Sequence, residues 1–110
     1  MLTLQGPFEV ESTLKMHPAV VESAVVSSPD SVRGEVVMAY VVLTSQYERA
    51  DKPALREELQ AVCKANAAPY KYPRKIEFVT ADFLPRTASG KIQRSVLRKL
   101  QWRTNGKARL

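Results

Sequence analysis

Two apolar, β-branched runs separated by a short polar segment limit what this chain can fold into. Residues 20–27 are mostly apolar on both faces, which is typical of a buried strand. Residues 36–43 are the longest uninterrupted apolar run and predict a second strand. The intervening residues 28–34 are rich in turn formers. A connection this short favours an antiparallel, hairpin-like pair. With 110 residues, the chain has room for one domain around that pair.

Two helices are indicated on either side of the strand pair. A short helix of about three turns opens at Pro7, where the missing N–H of proline costs nothing, and it ends at His17. Asp51 follows a polar loop and can cap a second helix that begins near Pro53 and ends at Pro69. Its predicted core-facing stripe consists of Leu55, Leu59, Val62 and Cys63.

The second half of the chain predicts one more strand and one more helix. Residues 76–79 form the strand, and residues 85–90 are loop-like. A last helix runs from about Lys91 to Trp102. Its predicted inner face consists of Ile92, Val96 and Leu100, and its outer face of Lys91, Arg94 and Arg98. The order α-β-β-α-β-α predicts an α+β fold in which helices cover a small three-stranded sheet.

Positive charge is concentrated in the second half of the chain. The formal net charge is +6, but residues 1–48 hold only two basic residues against six acidic ones. After Asp82 there are eight basic residues and no acidic one. Such a half attracts polyanions, which include nucleic acid, an anionic surface or a phosphorylated small molecule. A solvated basic helix with a frayed tail explains the same charge.

Several classes of protein are excluded by composition. The single Cys63 rules out an internal disulfide framework, and with only His17 besides it no Cys/His zinc site can form. We therefore expect no metal site in this chain. No apolar run approaches the length of a membrane span. Residues 1–5 resemble neither a secretory signal nor an organellar presequence, so we see no targeting segment.

The loop before the last predicted helix carries a lysine suited to an anionic ligand. It is not a phosphate-binding P-loop, because Pro85 stands where that motif needs glycine and Ile92 where it needs serine or threonine. What remains is Lys91 on a flexible Ser-Gly hinge, where it can place a compact positive charge beside an anion. By itself, a Ser-Gly-Lys sequence is also found as an ordinary solvated helix start.

The lysine loop is one of five motifs that follow one another in a defined order along the chain, and together they indicate a family. They are Gly-Pro-Phe-Glu-Val-Glu at 6–11, His-Pro-Ala-Val at 17–20, Pro-Asp-Ser-Val-Arg-Gly-Glu at 29–35, Ala-Pro-Tyr-Lys-Tyr-Pro-Arg at 68–74 and Pro-Arg-Thr-Ala-Ser-Gly-Lys-Ile-Gln-Arg at 85–94. Together they resemble the C-terminal domain of the adenylate-forming enzymes, a superfamily of acyl-CoA synthetases, luciferases and nonribosomal adenylation domains. The opening motif and the Tyr-Lys-Tyr-Pro-Arg segment are most similar to medium-chain acyl-CoA synthetases of the mitochondrial matrix. The resemblance covers residues 6–103 and leaves residues 1–5 as a non-family start and residues 104–110 as a basic tail.

The resemblance implies a two-step ligase reaction and a role for Lys91. In the family, a carboxylic acid attacks the α-phosphorus of Mg²⁺-bound ATP, and the CoA thiol then displaces AMP from the acyl-adenylate. Lys91 matches the catalytic, ATP-binding lysine that enters the site for the first step, and the domain then rotates to present another face. The Mg²⁺ ligands and the acyl pocket belong to an N-terminal adenylation domain that this chain lacks, so the chain alone is expected to be inactive.

The same resemblance assigns CoA-binding positions, whose basic side chains suit the phosphates at the nucleotide end of CoA. Without the resemblance, each is better explained as a surface residue or a loop stiffener than as a binding residue. The matching positions are Arg33, Lys64, Tyr72, Pro73 and Arg74.

Two other functions are compatible with the sequence. One is a non-catalytic module that binds a polyanion such as RNA, although no RNA-binding sheet motif or Gly-x-x-Gly loop is present. It would use Arg86, Lys91, Arg94, Arg98 and Lys99. The other is a regulatory partner that docks on a full-length synthetase. The resemblance favours the ligase, with ATP, a fatty acid and CoA as substrates and the mitochondrial matrix as its location.

Overall fold

The computed structural model describes residues 7–66 and 72–108, which form three α-helices and a three-stranded sheet. In chain order the elements are α1 (Pro7–Leu14), β1 (Val20–Asp30), β2 (Gly34–Leu43), α2 (Lys52–Asn66), β3 (Lys75–Val79) and α3 (Arg94–Ala108). Short 3₁₀ turns occur at Ser45–Tyr47 and Ala81–Phe83. The predicted order and the α+β fold class are confirmed. The predicted end of α2 at Pro69 lies outside the described residues.

The sheet is mixed, and β2 is its central strand. β1 pairs with β2 in antiparallel fashion, as the short connection predicts, whereas β3 is parallel to β2. Parallel neighbours cannot be joined by a tight turn, and here α2 makes the crossover between β2 and β3. The strand order β1-β2-β3 leaves β1 and β3 at the edges of the sheet.

The turn between β1 and β2 is shorter than the sequence predicts. Residues 28–30 belong to β1, with Pro29 opposite Glu35 near the end of the ladder. Proline is tolerated there because β1 is an edge strand and the missing N–H removes no bond from the sheet interior. Asp30 accepts hydrogen bonds from the backbone of residues 32 and 33, and Gly34 closes the turn with a φ of +85°.

The sheet separates two apolar clusters. α1 and α2 cover one face, and α3 covers the other. The first cluster includes Val10, Leu14, Val25, Ala39, Val41, Leu55, Leu59, Cys63 and Ile76. The second includes Ala24, Val26, Met38, Tyr40, Val42, Leu84 and Leu97. Neighbouring β2 residues therefore point into opposite clusters, which explains why β2 is apolar from residue 36 to residue 43.

The predicted stripe of α2 is confirmed in most positions. Leu55, Leu59 and Cys63 are buried, and Val62 is half-buried at the margin. Asp51 Oδ1 accepts a hydrogen bond from the backbone N–H of Ala54 at 3.3 Å, as expected of a residue that caps the helix.

The predicted inner face of α3 is wrong at its central position. The helix begins at Arg94 and not at Lys91, and it continues to Ala108. Val96 is 46% exposed, whereas Leu97 is 1% exposed and packs against the sheet. The prediction counted the helical period from Ile92, but Ile92 precedes the helix, so the predicted face is displaced by one residue.

Candidate functional site

Lys91 lies in a tight hairpin rather than in the first turn of a helix. Thr87 N donates to the carbonyl of Lys91 at 2.8 Å, and Lys91 N donates to Thr87 Oγ1 at 3.1 Å. Gly90 N donates to the carbonyl of Thr87 at 2.9 Å, with a φ of +91° that favours glycine. Both backbone groups of Lys91 are therefore held by Thr87. We call residues 86–94 the lysine hairpin.

The two arms of the lysine hairpin are joined by backbone contacts. Arg86 and Ile92 form an antiparallel bridge, and Gln93 N donates to the carbonyl of Pro85 at 2.8 Å. The Lys91 side chain is exposed, and within the described residues its ammonium group has no carboxylate within 4 Å. The hairpin therefore fixes the backbone of Lys91 and leaves its charge available.

The arginines at the ends of the hairpin are each paired with a glutamate. Arg86 Nη2 donates to Glu22 Oε1 of β1 at 2.7 Å. Arg94 Nε donates to Glu11 Oε2 of α1 at 2.7 Å, and Arg94 Nη2 donates to Glu11 Oε1. Glu11 Oε2 also accepts the backbone N–H of Val25 at 2.7 Å. The hydrogen bond from Arg86 holds the pKa of Glu22 below its ordinary value.

Neither glutamate is predicted as a site residue from the sequence. Glu11 carries a detectable signal, because it lies beside Val10 and one turn before Leu14, so a charged group falls on the inward side of α1. A carboxylate in that position needs a partner. Glu22 carries no comparable signal, since it lies on an edge strand where a partly exposed glutamate is ordinary.

Three of the predicted CoA-binding residues lie together at the start of β3. Lys64 Nζ is 4.4 Å from the centroid of the Tyr72 ring, and Arg74 Cζ is 4.8 Å from the same centroid. Within the ranges that the structure describes, neither cation has a carboxylate within 4 Å. We call Lys64, Tyr72 and Arg74 the Tyr72 cluster.

The other two predicted CoA-binding residues differ in exposure. The side chain of Pro73 is fully buried, and its carbonyl accepts a hydrogen bond from Gln60 Nε2 at 3.0 Å. A ligand therefore reaches the exposed neighbours of Pro73 rather than its ring. Arg33 is exposed in the β1–β2 turn, and its backbone N–H donates to Asp30 Oδ2 at 2.8 Å. That hydrogen bond holds the pKa of Asp30 below its ordinary value.

The Tyr72 cluster and the lysine hairpin lie at different ends of the sheet. Arg74 N donates to the carbonyl of Val37, near the start of β2, so the cluster lies toward the end that carries the Arg33 turn. The hairpin is attached to Glu22, whose β2 partner is Val42. Val37 and Val42 are about 17 Å apart along β2, at roughly 3.3 Å per residue.

Two further expectations concern metals and reactive groups. In the part of the chain that the structure describes, no group of three or more His, Cys, Asp or Glu side chains is placed to hold a metal ion. Burial raises the pKa of the Cys63 thiol to about 11, as expected of a core residue rather than a nucleophile.

His17, interpreted as a helix terminator, links α1 to α2 through Glu58 Oε1 at 2.9 Å. None of the helices among residues 7–66 and 72–108 is long and apolar enough to span a bilayer.

The polyanion-binding alternative loses part of its basis. Of its five basic residues, Arg86 and Arg94 are engaged with glutamates, and Arg98 Nε donates to Ser27 Oγ at 3.2 Å. Neutralised arginines contribute little to the counterion release that drives such binding.

Comparison with known proteins gives consistent matches over most of the chain. The family model described as the AMP-binding enzyme C-terminal domain matches residues 9–91. Human mitochondrial acyl-coenzyme A synthetase ACSM2A is 61% identical over 104 residues, which cover 94% of this chain and 18% of that relative. The chain thus spans less than a fifth of the length of that curated relative.

Solved structures give the same result. A Brucella canis acyl-CoA synthetase superposes with a TM-score of 0.83 at 48% identity, covering 91% of this chain and 18% of that one. The anthranilate CoA ligase AuaEII, solved with anthranoyl-AMP, superposes with a TM-score of 0.80 at 44% identity, covering 91% of this chain and 19% of that one. The matched region contains the lysine hairpin up to Lys91 and the whole Tyr72 cluster. The chain belongs to the family of AMP-binding enzyme C-terminal domains.

Proposed function

We propose that this chain acts as the mobile C-terminal domain of an ATP-dependent medium-chain fatty acid:CoA ligase. Its membership in the AMP-binding C-terminal family and the names of its relatives, which are acyl-CoA synthetases, support this function. The observation that carries it is the lysine hairpin, which holds the backbone of Lys91 while leaving its ammonium group without a carboxylate partner among the described residues.

In the first step, a carboxylate oxygen of the acid attacks the α-phosphorus of ATP, and the bond to pyrophosphate breaks. Two anions must approach each other, so negative charge accumulates between them. The three N–H donors of the Lys91 ammonium group can bridge the carboxylate and the α-phosphate. A fixed cation at that point stabilises the transition state without reorganising during the reaction.

In the second step, the CoA sulfur attacks the acyl carbon and its thiol proton passes to solvent, while AMP leaves as its bond to the acyl group breaks. The lysine hairpin must be withdrawn for CoA to enter, and we propose a rotation of this domain. The Tyr72 cluster lies toward the opposite end of the sheet from the lysine hairpin. Such a rotation can therefore bring the Tyr72 cluster to the reaction centre as the hairpin leaves it. Arg33, Lys64, Tyr72 and Arg74 then contact the nucleotide end of CoA, and the ring of Pro73 stays buried.

The remainder of the reaction centre is proposed to lie outside this chain. From the resemblance to adenylate-forming enzymes, we propose that the Mg²⁺ that accompanies ATP is held by an N-terminal adenylation domain. That domain is also the principal partner of this chain and supplies the acyl pocket. We place the enzyme in the mitochondrial matrix, since the curated relatives are named mitochondrial.

The test is a Lys91→Ala variant of a two-domain synthetase that carries this chain as its C-terminal domain. Removing one preorganised charge from a reaction centre reduces the rate by about 10²–10³. We expect that loss in acid-dependent pyrophosphate exchange, and no loss in acyl-CoA formation from preformed acyl-adenylate. The matched control is Lys99→Ala, which removes an exposed lysine from α3. Unchanged pyrophosphate exchange in Lys91→Ala would refute the proposed function.

The isolated chain provides a second measurement. Because Lys91 contributes only part of the stabilisation, the chain alone should show no pyrophosphate exchange. Acyl-CoA formation by the isolated chain would contradict the assignment of the reaction centre to another domain.

A further inference from the structure

The lysine hairpin has few backbone connections to the rest of the domain. Its internal bonds fix the turn at residues 87–91 but do not orient the turn relative to the sheet. Among the described residues, its attachments are helix α3, which begins at Arg94, the half-buried Ile92 and the buried Leu84 just before the hairpin, the Phe8 ring beside Arg94, and the two arginine–glutamate pairs. The pairs join the two arms of the hairpin to two different elements, β1 and α1.

The Glu11–Arg94 pair is the more rigid of the two. Arg94 offers two parallel donors to both oxygens of the carboxylate, a geometry that fixes direction as well as distance. The carboxylate is largely buried and is itself held by the N–H of Val25. The Phe8 ring lies 4.7 Å from the Arg94 guanidinium carbon and covers it from another side.

The Glu22–Arg86 pair holds the other arm. The distance from Arg86 Nη2 to Glu22 Oε1 is 2.7 Å, and both side chains keep about 30% of their exposure. Arg86 Nη1 also lies 3.4 Å from the carbonyl of Gly90, directly beside Lys91. This arginine therefore connects the strand that anchors the hairpin to the turn that carries the lysine.

The pairs also determine the charge of the hairpin. Of its three cations, Arg86 and Arg94 are neutralised by glutamates within the domain, and Lys91 is not paired with any described residue. The hairpin therefore presents a single positive charge. Three unpaired cations would instead attract phosphate groups at several points and would not define one position for the ligand.

We infer that Glu11 and Glu22 are positioning residues for Lys91, which act through Arg94 and Arg86 by fixing the hairpin and by neutralising the neighbouring charges. This inference rests on the proposed function. It predicts that these two glutamates, which lie outside the lysine hairpin, affect only the first step, in which ATP activates the acid. A misplacement of about 1 Å at a reaction centre can reduce the rate by about 10²-fold.

The test compares Glu22→Gln in two backgrounds of the two-domain enzyme, one with Lys91 and one with Lys91→Ala. In the Lys91 background we expect roughly a tenfold loss of pyrophosphate exchange with little change in the KM for ATP, because the defect is one of positioning. Acyl-CoA formation from preformed acyl-adenylate should not change. In the Lys91→Ala background, Glu22→Gln should cause no further loss, because residues that act as a unit are not additive.

Glu11→Gln should cause a larger loss of pyrophosphate exchange, on the order of 10²-fold, with the same dependence on Lys91. Glu22→Gln decides the question if Glu11→Gln fails to fold, because Glu22 is only partly buried. Glu58→Gln is the matched control. It removes a carboxylate on α2 that is paired with His17 and lies away from the hairpin. A circular dichroism melt verifies that each variant is folded.

The inference is overturned if Glu22→Gln leaves pyrophosphate exchange unchanged, lowers both half-reactions equally, or costs as much without Lys91 as with it. Each of these results is distinct from a failure of the proposed function, which appears as normal pyrophosphate exchange in Lys91→Ala alone.

Discussion

The two ends of the sheet carry positive charge in different ways. At the lysine hairpin, two of three cations are paired with glutamates, and the backbone around the third is held by hydrogen bonds. At the Tyr72 cluster, Lys64 and Arg74 lie over an aromatic ring and have no carboxylate within 4 Å in the described part of the chain. The hairpin end presents a single positive charge on a fixed backbone, and the Tyr72 end presents several positive charges spread over a surface.

This difference corresponds to two kinds of ligand chemistry. A transition state that develops charge at one point is stabilised by one preorganised cation. A ligand with several phosphates is bound by several cations, whose exact positions matter less. An aromatic ring among them adds a flat apolar surface for a base. Under the proposed function, the separation of these surfaces lets one small domain serve two successive reactions.

The largest expected effect tests whether α3 supports the hairpin end. Leu97→Ala should lower the free energy of unfolding of the chain by about 2–5 kcal/mol, because Leu97 is fully buried against the sheet. Val96→Ala should change it by less than about 0.5 kcal/mol, because Val96 lies on the exposed face. Urea denaturation followed by circular dichroism measures both values. Equal losses for the two variants would contradict the inner face described for α3.

An intermediate effect tests the Tyr72 cluster. Arg74→Ala in the two-domain enzyme should raise the KM for CoA by at least about tenfold, since a hydrogen bond to a charged group contributes about 1.5–3 kcal/mol. Arg33→Ala should act in the same direction, and neither variant should change pyrophosphate exchange. Arg49→Ala, which removes an exposed arginine near the other end of β2, is the control. Equal effects of Arg49→Ala and Arg74→Ala would show that charge acts without regard to position.

The smallest effect concerns acid pH at the hairpin end. The hydrogen bond from Arg86 holds the pKa of Glu22 below its ordinary value of 4.5, so the folded state favours the ionised carboxylate. The stabilisation is therefore complete above pH 4.5 and is lost as the pH falls through the lower pKa of the folded state. A partly exposed pair contributes about 0.2–1 kcal/mol.

Thermal melts of the chain and of Glu22→Gln between pH 7 and pH 3 measure this contribution. The difference in stability between them should be present at pH 7 and should diminish toward pH 3. A difference in stability that persists unchanged at pH 3 would show that Glu22 does not stabilise the fold through its ion pair with Arg86.

Much of the fold follows from local sequence patterns. The two apolar runs fix β1 and β2, and the Leu55–Leu59–Cys63 periodicity fixes the buried face of α2. The prediction for α3 is wrong at Val96 because a bridge between Arg86 and Ile92, formed after the chain folds back, delays the start of the helix. The strand character of Pro29 also depends on its pairing with β2, which the local composition does not reveal.

Some features of the candidate site also follow from local sequence, and others depend on the fold. Lys91 is predicted as a site residue from its Ser-Gly-Lys sequence and its companion motifs, since each motif is a continuous stretch of the chain. The glutamates that hold its hairpin are not predicted, because Glu11 and Glu22 lie 83 and 64 positions from their arginines. The exposure of a CoA-binding candidate also depends on the fold, as the buried Pro73 between Tyr72 and Arg74 in the chain demonstrates.

The sequence by itself determined which segments become strands and helices and which lysine is set on a glycine turn, because these properties depend on neighbours a few positions apart. Only the tertiary structure decided that two arginines are neutralised, that one lysine is left unpaired among the described residues, and that two cationic surfaces lie toward different ends of one sheet. The physical reason is that charge pairing and burial depend on distances in space, and those distances are set only when the strands and helices pack together.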